Sequence, residues 1–298
     1  MGHKFIIADV FTETAFGGNQ LAVFPEAAQI TDAEMQAFAR EINFAESTFV
    51  LPPRDPRHTF RVRIFTPKTE LPFAGHPTVG TAAVLREIGK IPENVETIVF
   101  EEGIGPVTVA IRPGPAPIFA RLILPGKIDR PDAVSGNKAA AEVLSLKAED
   151  ILDTWFGSAG LPFSFVHLKN RQAVDRAALN RAVWSSHFAQ AWSPHLYFFS
   201  GDLASGSNLY ARMFAPALGV EEDPATGSAC AALAGTLAER LSDSDGAFKW
   251  LVDQGVRMGR PSRIVASARK EGGKLVSIDV GGPTVIVGEG AMTASIGS

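Results

Sequence analysis

One passage of this chain is written twice. Arg63-Ile64-Phe65-Thr66-Pro67, then Pro72-Phe73-Ala74-Gly75-His76 and an alanine-rich run, returns as Arg212-Met213-Phe214-Ala215-Pro216, then Pro224-Ala225-Thr226-Gly227-Ser228 and a second such run. From Glu70 onward a constant offset of 152 residues pairs Glu70 with Glu222, Pro72 with Pro224, Gly75 with Gly227, Ala82 with Ala234 and Leu85 with Leu237. Solenoids are built from more and shorter repeats, so two copies in 298 residues imply two similar half-molecules. The halves are predicted at 1–118 and 119–298, with the last strand, about 284–298, packing back on the first half. A ligand is expected between them, where the repeated glycines lie.

The local pattern agrees with this division. Lys4–Val10 and Leu21–Phe24, separated by Gly17-Gly18-Asn19, read as a hairpin. Thr31 with Glu34 makes a capping box, and Met35, Phe38, Ala39 and Ile42 follow at helical spacing. Glu46–Leu51, Thr59–Phe65, Ile98–Phe100 and Val107–Ile111 read as strands. Pro113-Gly114-Pro115-Ala116-Pro117 reads as the linker between halves. Beyond it, Ala120–Leu124, Leu196–Phe199, Leu209–Phe214, Arg263–Ala268, Leu275–Val280 and Thr284–Val287 read as strands, and Lys138–Asp153 and Arg176–Gln190 as helices. Thr78–Ile88 and Ser228–Arg240 carry no charge until Arg86-Glu87 and Glu239-Arg240, the mark of a buried helix. Many short strands with one apolar helix per half predict a mixed α/β (α+β) fold. Each half would be a barrel-like sheet wrapped round its central helix, not an alternating parallel sheet.

Composition excludes several functions. A net charge of −4 without a basic, aromatic-interleaved run argues against nucleic acid. No apolar run is long enough to span a bilayer, and the first residues lack a signal-peptide pattern. Cys230 is the single cysteine, so no intrachain disulfide can form, which suits the cytoplasm. Gly75–Thr81 has glycines at P-loop spacing but no following Lys-Ser/Thr, no GxGxxG follows a strand, and the six histidines show no HExxH spacing. Neither cofactor nor metal is therefore expected; Glu46, His76 and Asp223 are too scattered to argue strongly for a metal site.

His76 and Ser228 hold equivalent places at the start of the two buried helices. They read either as simple caps or as lining for a carboxylate held by two helix N-termini. Asp223, in Glu221-Glu222-Asp223-Pro224, reads as an exposed loop acid or as an acid special to one half, since Leu71 stands in the other copy. Glu46, the lone charge in Asn43–Phe49, reads as a strand-edge residue or as a desolvated carboxyl suited to acid–base work. Cys230, four residues into an apolar helix, reads as an inert buried thiol.

Taken together, these stretches resemble the phenazine-biosynthesis PhzF-like family, within the diaminopimelate epimerase-like fold. The likeness is carried by Asp9–Thr12 with Phe16–Asn19, by Asn43–Phe49, by Phe73–Thr81 and by Glu222–Ala229. The resemblance implies a cofactor-independent isomerase, acting on a small carboxylate-bearing metabolite, and a homodimer. It implies that Glu46 moves the proton, that Asp223 and His76 complete the catalytic set, and that Ser228, Gly75, Gly227 and Asn19 contact substrate. Gln20 stands where a proline usually follows that asparagine. Epimerases of the wider fold use a thiol from each half; the corresponding positions here are Ala74 and Thr226, so two-thiol epimerisation is excluded. A dehydratase or epimerase variant, or a non-catalytic metabolite-binding or interaction protein, are the alternatives.

Overall fold

The computed structural model describes residues 2–132, 136–242 and 245–293, and it divides into two compact units. Unit 1 comprises Met1–Ile123 and Gly281–Ser298; unit 2 is Leu124–Val280. In unit 1 the order is β1 (His3–Val10), β2 (Asn19–Phe24), α1 (Asp32–Ile42), β3 (Glu46–Leu51), β4 (Phe60–Phe65), β5 (Glu70–Leu71), α2 (Gly75–Glu87), β6 (Thr97–Glu102), β7 (Gly105–Ile111) and β8 (Ile118–Pro125). The strands follow one another as β1-β2-β3-β4-β6-β7-β8 and are completed by the end of β15 (Lys274–Met292), which pairs back onto β1 from His3↔Met292 to Val10↔Thr284. The sheet is thereby a closed eight-stranded barrel, and closure removes the exposed edges a sheet otherwise presents.

The barrel closes around α2, which is buried from Gly75 to Arg86. Its approach to the wall depends on Gly80, where a Cβ would stand 2.5 Å from Val10 Cγ2 and 2.7 Å from Leu21 Cδ2. Outside the barrel, α1 begins at the Thr31–Glu34 capping box and ends at Asn43 in the left-handed conformation. It packs Met35, Phe38 and Ala39 with Phe24, Phe49 and Phe65.

Unit 2 contains α3 (Asn137–Val143), β9 (Ile151–Ser158), β10 (Pro162–Leu168), α4 (Arg171–Arg176), α5 (Arg181–Val183), β11 (Leu196–Ser200), β12 (Asn208–Phe214), α6 (Gly227–Arg240), β13 (Gly246–Gln254) and β14 (Ser262–Glu271). The strand order is β15-β14-β13-β12-β11-β10-β9. The segment after β8 spans from one end of it to the other: Gly126 N–H donates to Val276 O, and Asp129 bridges Ser158. At the centre α6 is buried from Ala229 to Ala238.

Several expectations are corrected. The Pro113–Pro117 stretch is no linker: β7 and β8 pair antiparallel across it, with Ile111 opposite Ala120, so it is a hairpin turn inside unit 1. The chain passes between the units within β8 and again within β15. The helix expected over Lys138–Asp153 stops at Val143, because Ser145 turns left-handed (φ 54°) and Leu146 N–H closes back on Ala141 O; Ile151 onward is strand β9. The helix expected over Arg176–Gln190 is broken as well. Ala178 and Asn180 donate their N–H groups to Leu144 and Val143, and Trp184–Phe188 widens into a π turn. Strands β9, β10 and β13 are absent from the sequence reading.

Candidate active site

Two residues before Thr48, Glu46 lies on the same face of β3. Thr48 Oγ1 meets Thr81 Oγ1 of α2 at 2.8 Å, buried, so that face of β3 addresses the central helix. Glu46 accordingly points at the first turn of α2, where its Oε2 lies 3.5 Å from His76 Nε2. It is not the strand-edge residue facing water: its side chain is 18% exposed.

His76 is buried, and burial drives its pKa down to about 3. The ring also bonds the backbone of Gln20, a contact that favours a ring proton there. Nε2 has no hydrogen-bond partner, which places the Gln20 contact at Nδ1. The Asn19 amide nitrogen lies 3.3 Å from the same Nδ1. Burial keeps the ring neutral.

The loop that delivers Asn19 is tightly fixed. Phe11 and Phe16 both hold positive φ (67° and 68°), strained for non-glycine residues. Buried Asp9 restrains the turn by accepting the Phe16 N–H at 2.6 Å. Gly18 (φ 62°) could carry no side chain, since a Cβ would sit 2.4 Å from Val10 O. This accounts physically for the Asp9–Thr12 and Phe16–Asn19 stretches.

In unit 2, Asp223 is half-buried and held in place. Thr226 Oγ1 donates to its Oδ2 at 2.6 Å. Fully buried Gln254 donates through Nε2 to both Asp223 O (2.8 Å) and Thr226 Oγ1 (2.9 Å), and its Oε1 accepts from Tyr197 Oη at 3.0 Å. Cys230 lies beside Tyr197, and burial pushes its thiol up to about 12, so it is inert. Ser228 and Gly227 open α6 just after Thr226.

Neither His76 nor Ser228 is a cap. The residues at the cap positions are Ala74 and Thr226, and neither helix receives a side-chain cap bond. The first N–H groups of α2 and α6 thus lack the usual local acceptor, an arrangement suited to anions. Sequence reasoning missed Gln254, Tyr197 and the role of Thr226. Gln254 ends an alternating strand that the pattern Phe248, Trp250, Val252 could have revealed. It also missed Glu102, a buried acid beneath α2 whose Oε1 lies 2.7 Å from Thr78 Oγ1.

A sequence model of the phenazine biosynthesis-like protein family matches residues 8–290. An uncharacterized isomerase of Mesorhizobium japonicum is 38% identical, across 97% of this chain and 98% of its own. The trans-2,3-dihydro-3-hydroxyanthranilate isomerase of Pseudomonas fluorescens is 34% identical, across 97% and 99%. The crystal structure of a Bacillus anthracis phenazine biosynthesis protein of the PhzF family superposes with a TM-score of 0.84 at 25% identity, covering 99% of this chain and 100% of that one. The chain belongs to the phenazine biosynthesis-like (PhzC–PhzF) family and is an isomerase of the PhzF type.

Proposed function

We propose that this enzyme moves a proton within a small carboxylate-bearing metabolite, without a cofactor, using Glu46 as its single acid–base. The observation that carries the reading is the pairing of Glu46 with a neutral His76 at 3.5 Å. Glu46 as carboxylate takes a proton from a C–H adjacent to an unsaturated system, and the bonding pair enters that system. Glu46, now the acid, gives that proton to a different carbon. The double bond shifts, the electron count is unchanged and no co-substrate is consumed. Asn19 and Gly75 contact substrate in this reading, the latter through the uncapped start of α2.

Asp223, Ser228 and Gly227 are assigned to the same reaction on the family motif, supported by the network that fixes Asp223. The Pseudomonas fluorescens relative is named for a hydroxyanthranilate, a carboxylate, which supports that substrate class. The homodimer is proposed on family likeness alone, and the cytoplasmic location on the single cysteine.

Glu46→Gln keeps size and hydrogen bonding but cannot take a proton. Turnover should fall by about 10²–10⁴-fold, solvent deuterium uptake into product should cease, and calorimetric binding of a small carboxylate should persist. Near-normal turnover in the Gln variant would reject Glu46 as the base.

A further inference from the structure

Thr78, in the first turn of α2, has one hydroxyl proton and two oxygen neighbours at 2.7 Å: the Ala74 carbonyl and Glu102 Oε1. A carbonyl oxygen only accepts, so the Thr78 proton goes to Ala74, the usual back-bond of a helical threonine. The remaining bond needs a donor on Glu102, and a carboxyl group donates only when protonated. Burial points the same way. Glu102 is 8% exposed, its Oε2 is buried without a hydrogen-bond partner, and burial pushes its pKa up to about 8.

The surrounding charges leave this acid alone. A cavity of about 190 Å³ beside Glu102 is lined by Arg54, Arg61, Arg63, Glu70 and Glu101. Arg63 is forked by Glu70 and also bonds Asp32. Glu101, its strand neighbour pointing the opposite way, accepts from the Arg54 and Asp55 N–H groups and meets His58. Arg54 and Arg61 form no ion pair with Glu102. Its hydrogen bond to α2 is with Thr78.

The tip that carries Glu102 is also clamped to the segment entering α2. Ile104 N–H donates to Pro72 O at 3.1 Å, and at Gly103 a Cβ would stand 2.6 Å from Pro72 Cα. Contacts on both Pro72 and Thr78 bracket Gly75-His76.

We propose that Glu102 is a neutral carboxylic acid whose proton latches the β6–β7 tip to the first turn of α2, making it a positioning residue for His76. Its effect on turnover rests on the proposed reaction; its protonation does not. Ionisation weakens the latch, because the Thr78 proton must then leave the Ala74 carbonyl to bond the carboxylate, and the buried charge gains no cation.

The test compares wild type with Glu102→Gln, whose amide donates to Thr78 at every pH, and Glu102→Ala, which cannot. The infrared spectrum of wild type at neutral pH should contain a protonated-carboxyl band that Glu102→Gln lacks; identical spectra would overturn the proposal. The stability gap in favour of Glu102→Gln should widen from pH 5 to about 8 and then level; a gap independent of pH would overturn it. In turnover, wild type should lose kcat above about pH 8, Glu102→Gln should hold its kcat there, and Glu102→Ala should be lowered on the order of 10-fold or more at all pH. A Gln variant as impaired at neutral pH as the Ala variant would show that Glu102 works as an anion. If Glu46→Gln proves active while the infrared band is confirmed, the proton-transfer reading fails and the latch stands.

Discussion

Replacing Arg212 by alanine should destabilise unit 2 far more than the same change at Arg63 destabilises unit 1, although the sequence writes both in the same words. Each arginine forks the glutamate that precedes its central helix: Arg63 to Glu70 at 2.7 and 2.7 Å, Arg212 to Glu222 at 2.7 and 2.8 Å. The surroundings differ. Arg212 and Glu222 side chains are 9% and 18% exposed. Nη1 of Arg212 also donates to Val174 O (2.9 Å) and Ala177 O (2.8 Å), closing the C-terminal end of α4. Its guanidinium lies 5.5 and 5.1 Å from the Phe198 and Phe214 ring centroids. Deletion strands a largely buried carboxylate and two carbonyls, a cost of about 3–5 kcal/mol. Glu70 is 42% exposed and can rehydrate, so Arg63→Ala should cost about 1 kcal/mol. Trp155, Trp184, Trp192 and Trp250, all the tryptophans of the chain, lie in unit 2, so urea titration by tryptophan fluorescence reads Arg212→Ala there, and far-ultraviolet dichroism adds the rest of the chain. Equal costs for the two variants, or less than about 1 kcal/mol for Arg212→Ala, would refute the burial argument.

Two further predictions concern the site. His76 is held far below its ordinary pKa by burial, so the unfolded chain binds its proton first as pH falls. The contribution of neutral His76 is thus present above about pH 6.5 and is lost as pH falls toward about 3; His76→Asn should flatten that part of a stability–pH curve, and an unchanged slope would reject the assignment. Gln254→Leu removes the donors on Asp223 O and Thr226 Oγ1 and the acceptor for Tyr197, and should cost about 2–4 kcal/mol, whereas Gln254→Glu should lower turnover further by setting a second carboxyl beside Asp223. Chemical denaturation with kinetics on any accepted substrate checks both.

The repeat made the two central helices legible, because burial all round a helix leaves a mark in composition; it paired Arg63 with Arg212 and Glu70 with Glu222 but not each arginine with its glutamate. The capping box of α1 was legible for the same local reason. The break at Ser145 was not, since it turns on a left-handed φ in a non-glycine residue, nor was that at Ala177, which depends on partners far along the chain: the carbonyls of α4 are claimed by Arg212, and the N–H groups beyond it by Val143 and Leu144. Within the site, Glu46 stood out as a lone charge among apolar residues. Glu102 did not, because beside Glu101 it looks like one more solvated acid, and only the barrel wall separates their fates. Glu101 is held down to about 2 by N–H donors while Glu102 is pushed up to about 8.

The neutral state of His76 is what makes a one-carboxyl mechanism coherent. An imidazolium 3.5 Å from Glu46 would hold the carboxylate as an ion pair and oppose the return of its proton to substrate. Burial prevents this by keeping the ring neutral. With the ring neutral, Glu46 meets no imidazolium at that position. Ala74 offers no functional group, and the Thr226 hydroxyl is committed to Asp223. In the proposed reaction Glu46 alone would remove and return the proton, on one face of the substrate.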